Sequence, residues 1–283
     1  MVCVFSACVQ DLELYETNAP EQLVVNSEID ANGNVYAVIS ISVPLENTGL
    51  PYRPIEGEID AYVIVDGDED NIERFSYGAY YDNAVHAGEN EEIWRCRRLF
   101  LPPAGSELEL RVELKDNEDI QAVTAKTVVP ESIEMSDIQF VGIEDKKADK
   151  HEYRIQLSVD GDKSNYYHLF AKSGATNLDL TSFEYGSNAI DKPHHHTGVL
   201  IDGSRLTNNL INFVVESDHE IEVTDLELRT VTKSYYDYHV SVSRTYSSQN
   251  SPFNEPNVSY SNIVDGMGVF CSYATVIQSV ELK

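Results

Sequence analysis

Apolar and polar residues alternate along short segments over most of the chain, and this alternation predicts β-strands. Successive side chains of a strand point to opposite faces, so an alternating segment buries one face and exposes the other. The first half holds seven such segments, separated by turn-forming residues, at 22–29, 35–43, 58–65, 72–77, 91–98, 107–114 and 120–127. Short strands at this spacing predict an immunoglobulin- or transthyretin-like β-sandwich.

The second half repeats the alternation after a polar stretch that predicts a domain boundary near residue 132. Its predicted strands are 138–143, 152–159, 166–172, 199–202, 211–216, 220–230 and 275–282. These strands can close either a second β-sandwich or a small β-barrel, and the pattern does not separate the two. We therefore predict an all-β chain with an N-terminal domain at 19–132 and a C-terminal domain at 133–283.

A tyrosine-rich segment that begins at Ser234 fits two kinds of structure. Ser234 and Asp237 can form a capping box, with aromatic residues following on one face of a helix. In the same segment Tyr236, Tyr238 and Val240 alternate with polar residues, which is equally typical of a strand. The local pattern leaves helix and strand both open, and a helix here would pack over the second domain.

Two glycines precede the last predicted strand. Gly266 and Gly268 permit a positive φ or a close backbone approach just before Val269 and Phe270. We interpret them as turn residues. Upstream, Pro252 and Pro256 exclude both helix and central strand from the residues between them, so the chain there is predicted to cross the surface in an extended form.

The N-terminus has the features of a lipid-attachment signal. Residues 1–7 are apolar and uncharged, and Phe5-Ser6-Ala7-Cys8 presents small residues ahead of a cysteine. A secretory signal also needs a basic region and a longer apolar run, so we expect Met1 to lie inside the apolar run of a longer precursor. Residues 1–18 are then a partial signal peptide, lipobox and acidic tether, with Cys8 as the lipidated residue. The alternative is a cytosolic start with a chance cysteine.

Several segments together resemble a known family. The box at Ser234 with its tyrosines, NSPFNEP at 250–256, SNIVDGMGVF at 261–270 and a final strand resemble the C-terminus of Bacteroidota surface lipoproteins catalogued as domain of unknown function 4249. The N-terminal cysteine, EQLVVNSEI, Val129-Pro130 and DGDKSNYYHLF at 160–170 also match. The resemblance implies the helix at 234–246 and a location beside SusC/SusD-type nutrient importers. It implies no catalytic residues.

The charge balance excludes some classes of partner. The formal net charge is −28, with 20 Lys and Arg against 48 Asp and Glu. No basic stripe is present to neutralise phosphates, which argues against nucleic acid and against binding an anionic membrane by charge. No apolar run approaches the roughly 20 residues of a transmembrane helix, so membrane attachment is expected only through the lipid anchor.

The cysteines beyond the N-terminus are Cys96 and Cys271. They could form a disulfide in an oxidising envelope, but each has apolar or aromatic neighbours, as a buried thiol does. Because the two cysteines lie in different predicted domains, we expect buried thiols. No Cys or His spacing is typical of zinc.

Three motifs could bind a metal ion. In the triplet at 194–196, His194 and His196 would point to the same face of a strand and could present imidazoles to a transition metal. Asp66, Asp68 and Asp70 occupy positions 1, 3 and 5 of a calcium loop, but Asn71 and Tyr77 replace its required Gly and Glu. Asp160-Gly161-Asp162 is a similar, shorter signal. We favour exposed polar turns over metal sites as the explanation of all three motifs.

The sequence thus predicts a non-enzymatic outer-membrane lipoprotein, exposed at the cell surface beside a SusC/SusD-type TonB-dependent importer, with no cofactor. Its expected partners are that transporter complex and a small glycan, peptide or other nutrient ligand. The alternatives are a metal-assisted hydrolase that uses His194 and His196, and a structural or adhesive surface module. A flat aromatic patch among the 17 tyrosines and Trp94 would favour ligand capture, and a cleft with convergent polar groups would favour the hydrolase.

Overall fold

The computed structural model describes residues 20–33, 35–42, 55, 57–77, 93–96, 100–115, 117–147, 150–159, 165–182, 190–191, 198–249 and 259–282. These residues form sixteen strands and one α-helix. The predicted fold class, all-β with one short helix, is confirmed.

The seven strands predicted in the first half are all present. They are β1 Leu23–Asp30, β2 Val35–Ile41, β3 Ile59–Val65, β4 Asp68–Tyr77, β5 Ile93–Cys96, β6 Glu107–Leu114 and β7 Val123–Val128. In the clearest cases buried and partly exposed residues alternate, as along the whole of β2. The alternation that predicted these strands is therefore the alternation that builds the core.

The second half contains two strands that the pattern did not predict. Its elements are β8 Met135–Lys147, β9 Lys150–Val159, β10 Tyr166–Ser173, β11 Thr176–Ser182, β12 Ile190–Asp191, β13 Val199–Asp202, β14 Leu210–Ser217, β15 Val223–Val231, α1 Lys233–Gln249 and β16 Met267–Glu281. The new strands are β11, in which polar residues separate Leu178 and Leu180, and the two-residue β12. The segment that begins at Ser234 is helical, as the family resemblance implied.

The strands of the first half form a sheet in the order β7-β6-β3-β4-β5-β2-β1-β16. The sheet folds over on itself and brings β7 next to the start of β16. Thr124 of β7 forms a backbone bridge with Val264, just before β16. Apolar side chains from both layers meet inside, with Leu23, Val25, Leu108 and Leu110 fully buried. This arrangement is a sandwich of the predicted kind.

The strands of the second half continue the same hydrogen-bonded path as β16-β15-β10-β11-β14-β9-β8, with β13 and β12 beside β10. Tyr153, Ile155, Phe213 and Leu228 are among the buried residues of a second core. The two halves of the chain therefore have separate cores and a shared sheet. The position of the domain boundary near residue 132 remains a prediction.

Strand β16 belongs to both halves. Its first part runs parallel to β1, from the pair Val24 and Met267 to the pair Asp30 and Tyr273. Its second part runs antiparallel to β15, from Tyr273 to Glu281. Because side chains alternate along a strand, one face of β16 supplies residues to both cores: Phe270 to the first, and Val276 and Val280 to the second.

The motif SNIVDGMGVF closes the first core. The side-chain amide of Asn262 donates to the carbonyl oxygen of Phe270 at 2.8 Å, and its oxygen accepts from the Phe270 amide at 2.9 Å. Ile263 enters the first core, and Val264 pairs with Thr124. The motif thus uses one asparagine side chain in place of a strand partner, and its role is structural.

Close backbone packing explains the two glycines of this motif. A Cβ added at Gly268 would lie 2.1 Å from the carbonyl oxygen of Val25, and Gly268 has a φ of +107°. A Cβ at Gly266 would lie 2.7 Å from the carbonyl oxygen of Leu23. Gly268 lies within β16 and pairs with Val25, so it permits strand contact there and is not a turn residue.

We predict that Gly268→Ala lowers the free energy of unfolding by more than about 3 kcal/mol. Backbone strain and steric overlap each contribute about 1–3 kcal/mol. The matched control is Gly105→Ala, since Gly105 has a φ of +88° but nothing within 4 Å of an added Cβ. It should lose only about 1–2 kcal/mol. Urea unfolding measures both, and equal losses would show that the close approach to β1 is not real.

Candidate functional site

The helix α1 covers the outer face of the shared sheet. Its buried residues Tyr235, Tyr236 and Val240 pack against side chains of β16 and β15 and one residue of β13, namely Val269, Cys271, Tyr273, Val231 and Leu200. Val269, Cys271 and Tyr273 alternate along β16 with the residues that face the two cores. The helix therefore rests on the opposite side of the strand that both halves share.

The start of α1 is tied to β16. The amide of Thr232 donates to the carbonyl oxygen of Ser272 at 3.2 Å, and its own carbonyl oxygen accepts from Tyr236 at 3.1 Å. The helix begins at Lys233, whose ammonium pairs with Asp237 one turn later. The expected capping box is not formed, because the helix begins at Lys233 and Ser234 therefore lies inside it, and Asp237 pairs with the side chain of Lys233.

Beneath the helix lies a buried polar cluster with Glu28 of β1 at its centre. His239 of α1 places Nε2 3.2 Å from Glu28 Oε1, and the hydroxyl of Tyr36 on β2 donates to Glu28 Oε2 at 3.3 Å. Glu28 and His239 are both about 6% exposed. A buried carboxylate is costly unless hydrogen-bonded or paired, so this pair fixes α1 to the first half.

A second contact fixes α1 to the other half of the chain. His168 of β10 lies 2.9 Å from the hydroxyl of Tyr235 through Nδ1, and the tautomer of His168 decides which group donates. The ring of Tyr235 also packs on the ring of His239, with centroids 4.3 Å apart. The helix thus links Glu28 of the first half to His168 of the second through two adjacent aromatic rings.

The hydroxyl and thiol groups of the cluster stay protonated at neutral pH. Burial, and then the nearby charge of Glu28, raises the pKa of Tyr36, of Tyr235 and of the Cys271 thiol well above their usual values. Burial likewise raises the pKa of Tyr273. Tyr36 therefore acts as a hydrogen-bond donor to Glu28.

Next to the cluster, an arginine lies between two aromatic rings. The guanidinium carbon of Arg229 is 4.5 Å from the ring centroid of Phe170 and 4.6 Å from that of Tyr273. Arg229 pairs with Glu227 at 2.7 Å, and Glu227 also accepts from Lys172 at 2.6 Å. Burial would raise the pKa of Glu227, but the two cations outweigh it and hold that pKa below its usual value.

This arrangement suits a structural role better than a chemical one. Its ionisable groups contact one another. The Glu28 carboxylate contacts an imidazole and a phenol, and the Arg229 guanidinium contacts a carboxylate and two aromatic rings. Buried networks of this kind fix one packing arrangement when their members are paired. We assign the cluster the task of holding α1, β1, β10 and β16 in register.

The aspartates of the suspected calcium loop instead form a tight hairpin turn. Asp66 and Gly67 both have positive φ values, of 52° and 71°, as a two-residue turn between β3 and β4 requires. The Asp66 carboxylate accepts from the amide of Glu107 at 2.8 Å, and Asp68 accepts from the amide of Asp70 at 3.0 Å. The carboxylates therefore stabilise the backbone, and this segment forms the acidic hairpin turn that the sequence offered beside the calcium loop.

The other sequence-predicted site residues are placed as follows. Cys8, His194, His196 and the turn at 160–162 lie outside the described residues. Within the part of the chain that the structure describes, no three His, Cys, Asp or Glu residues are grouped so that they could hold a metal ion. In the same part, no helix is long and apolar enough to cross a membrane.

The structure shows where two cysteines and several aromatic residues lie. Cys271 is a buried free thiol, as expected, and Cys96 lies on β5. Tyr153 and Tyr167 are fully buried in the second core, and Tyr235 lies in the helix layer. These three tyrosines therefore serve packing and not surface recognition.

Glu28 and His168 are not among the site residues predicted from the sequence. The sequence holds a weak signal for His168, which stands between Tyr167 and Leu169 in an otherwise apolar and aromatic strand, but none for Glu28, which shares a face with Asn26 and Asp30 as an exposed residue would. The contacts themselves join residues far apart in the chain, since Glu28 and His239 are 211 positions apart. Local pattern could not predict those pairings.

Comparisons with known proteins give one family. The model described as "Domain of unknown function (DUF4249)" matches residues 9–279. No curated protein matches the chain. Among solved structures, a β-glycosidase from Bacteroides vulgatus is similar at 11% identity and a TM-score of 0.21, with 74% of this chain covered. The chain spans 23% of that protein, and a likeness this low carries no argument.

We predict that Glu28 and His239 stabilise the fold jointly. His239→Gln should cost about 2–4 kcal/mol, because it weakens the pairing of a buried carboxylate. In a double-mutant cycle with Glu28→Gln, the coupling energy should exceed about 1 kcal/mol. The control cycle uses the exposed pair Lys115 and Glu58, 2.8 Å apart, which should show almost no coupling. Similar coupling energies in both cycles would show that the pair of Glu28 and His239 does not stabilise the fold jointly.

Proposed function

The chain belongs to the family catalogued as domain of unknown function 4249, and on that basis we propose that it is a non-enzymatic, lipid-anchored protein of the outer-membrane surface. We propose further that it serves as an accessory component beside a SusC/SusD-type nutrient importer. The observation that carries the anchor is the lipobox Phe5-Ser6-Ala7-Cys8. The family match begins at residue 9, immediately after the cysteine that would be lipidated.

The spacing between Cys8 and the fold limits how far the fold can stand from the membrane. The described chain begins at Pro20, and β1 begins at Leu23. Residues 9–19, if fully extended, reach at most about 40 Å. The tether carries Asp11, Glu13 and Glu16, and the chain has a net charge of −28, so repulsion from anionic lipid favours a fold held off the bilayer.

A surface of mixed charge suits contact with the importer. On the outer face of β3, Tyr62 lies opposite Arg74 of β4 and Arg111 of β6. The guanidinium carbon of Arg74 is 5.0 Å from the Tyr62 ring centroid. Tyrosine and arginine are enriched at protein interfaces, and here they occur together on the surface of an otherwise acidic chain. We place the contact with the transporter on this face.

Membrane partition tests the anchor. With a complete lipoprotein signal peptide in front of it, the chain should fractionate with the outer membrane and carry lipid mass on Cys8. Cys8→Ala should be released into the soluble fraction, whereas the control Cys3→Ala, upstream of the cleavage point, should remain membrane-bound. Retention of Cys8→Ala on the membrane would contradict lipid anchoring.

The same membranes test the partner. After cross-linking and detergent extraction, a SusC/SusD-type transporter should be recovered with the wild type. Recovery should fall with Tyr62→Ala, which leaves the anchor intact. If the wild type is anchored but recovers no transporter, the accessory role is wrong while the anchor stands.

A further inference from the structure

Strand β1 is hydrogen-bonded to a neighbouring strand on each side, and these two neighbours run in opposite directions. It pairs antiparallel with β2 and parallel with β16, in each case over seven residue pairs. When one of two parallel strands is pulled at its N-terminal end and the other at its C-terminal end, the strands can separate only by sliding along each other. All seven pairs then resist the pull together, and none opens before the others.

Side chains prevent such sliding. Leu23, Val25 and Ile29 are fully buried in the first core, whereas Glu28 points to the opposite face and contacts His239. A shift by one residue would exchange the two faces and place Glu28 in the apolar core. Gly268 adds a local lock, because its backbone lies against the carbonyl oxygen of Val25 with no space for a side chain.

The direction of the chain places this pair between the tether and the second half. The tether enters at the start of β1, and β16 continues past Tyr273 into its pairing with β15. Tension on the tether reaches β16 through the pairing with β1, without passing along the chain through β2 to β15. Two further contacts strengthen the junction: Ala31 donates to the carbonyl oxygen of Tyr273 at 2.8 Å, and Asn32 to that of Thr275 at 3.4 Å.

We propose that the parallel pair of β1 and β16 is a mechanical clamp, which carries load from the membrane anchor to the second half of the protein. The proposal rests on the lipid attachment proposed above. A protein held to the membrane at its N-terminus experiences load along this path whenever its second half is pulled. The clamp lets the protein stay folded under that load.

Single-molecule force spectroscopy tests the clamp in two pulling geometries. Handles ahead of residue 20 and after residue 282 load β1 against β16 in shear. Handles at residues 20 and 42 pull apart neighbouring ends of β1 and β2, where Leu23 pairs with Ile41, and open that pair one step at a time. The rupture force should be several-fold higher in the first geometry. Equal rupture forces in the two geometries would overturn the proposal. It would also be overturned if the increase in chain length at rupture showed that the second half opens while β1 stays attached.

A pair of variants isolates the clamp. Gly268→Ala should lower the rupture force in the first geometry, and Gly105→Ala, which strains a turn away from β1, should leave it unchanged. Should Gly268→Ala fail to fold, the comparison of the two geometries in the wild type still decides. Because handles replace the lipid, this measurement tests the clamp and membrane fractionation tests the anchor, so that either can fail without the other.

Discussion

The pairing of one long strand with both halves of the chain is the constraint on which the rest of this structure depends. Strand β16 completes the first sandwich beside β1 and the second beside β15, and the same face of the strand supplies Phe270 to one core and Val280 to the other. Neither core is complete without residues from the last part of the chain. The order of the sequence and the order of the fold therefore differ, and the two halves are expected to unfold together.

The layer above the sheet follows from the same strand. The opposite face of β16 carries Val269, Cys271 and Tyr273, which need cover, and α1 supplies it. The polar cluster under α1 then adds specificity to that apolar contact, because Glu28 and His239 are paired in only one placement of the helix. The family motif at 261–270 has its physical explanation here, since Asn262 pairs with the backbone of Phe270 and Gly268 permits the close approach of β16 to β1.

Sequence patterns predicted what depends on neighbouring residues and missed what depends on distant ones. Alternation identified the strands of the first half, because burial of one face is a local property. It missed β11, which has only two apolar residues, Leu178 and Leu180, and it began the last strand at Thr275, since the glycines before it are typical of turns in isolation. The local pattern left helix and strand both open for the segment that begins at Ser234, because Tyr236 and Val240 suit either structure. Packing on β16 selects the helix. The contact between Glu28 and His239 could not be predicted, because nothing local links β1 to α1.

Native-state hydrogen exchange tests most directly whether β16 makes the two halves one cooperative unit. Amides of β6 in the first half and β14 in the second should exchange only by global unfolding, with the same free energy and the same dependence on denaturant, and amides of β1 and β16 should match them. If β6 and β14 instead exchanged with different free energies and different denaturant dependence, the halves would unfold separately. The shared strand would then be a connection between two independent domains and not the element that holds them together.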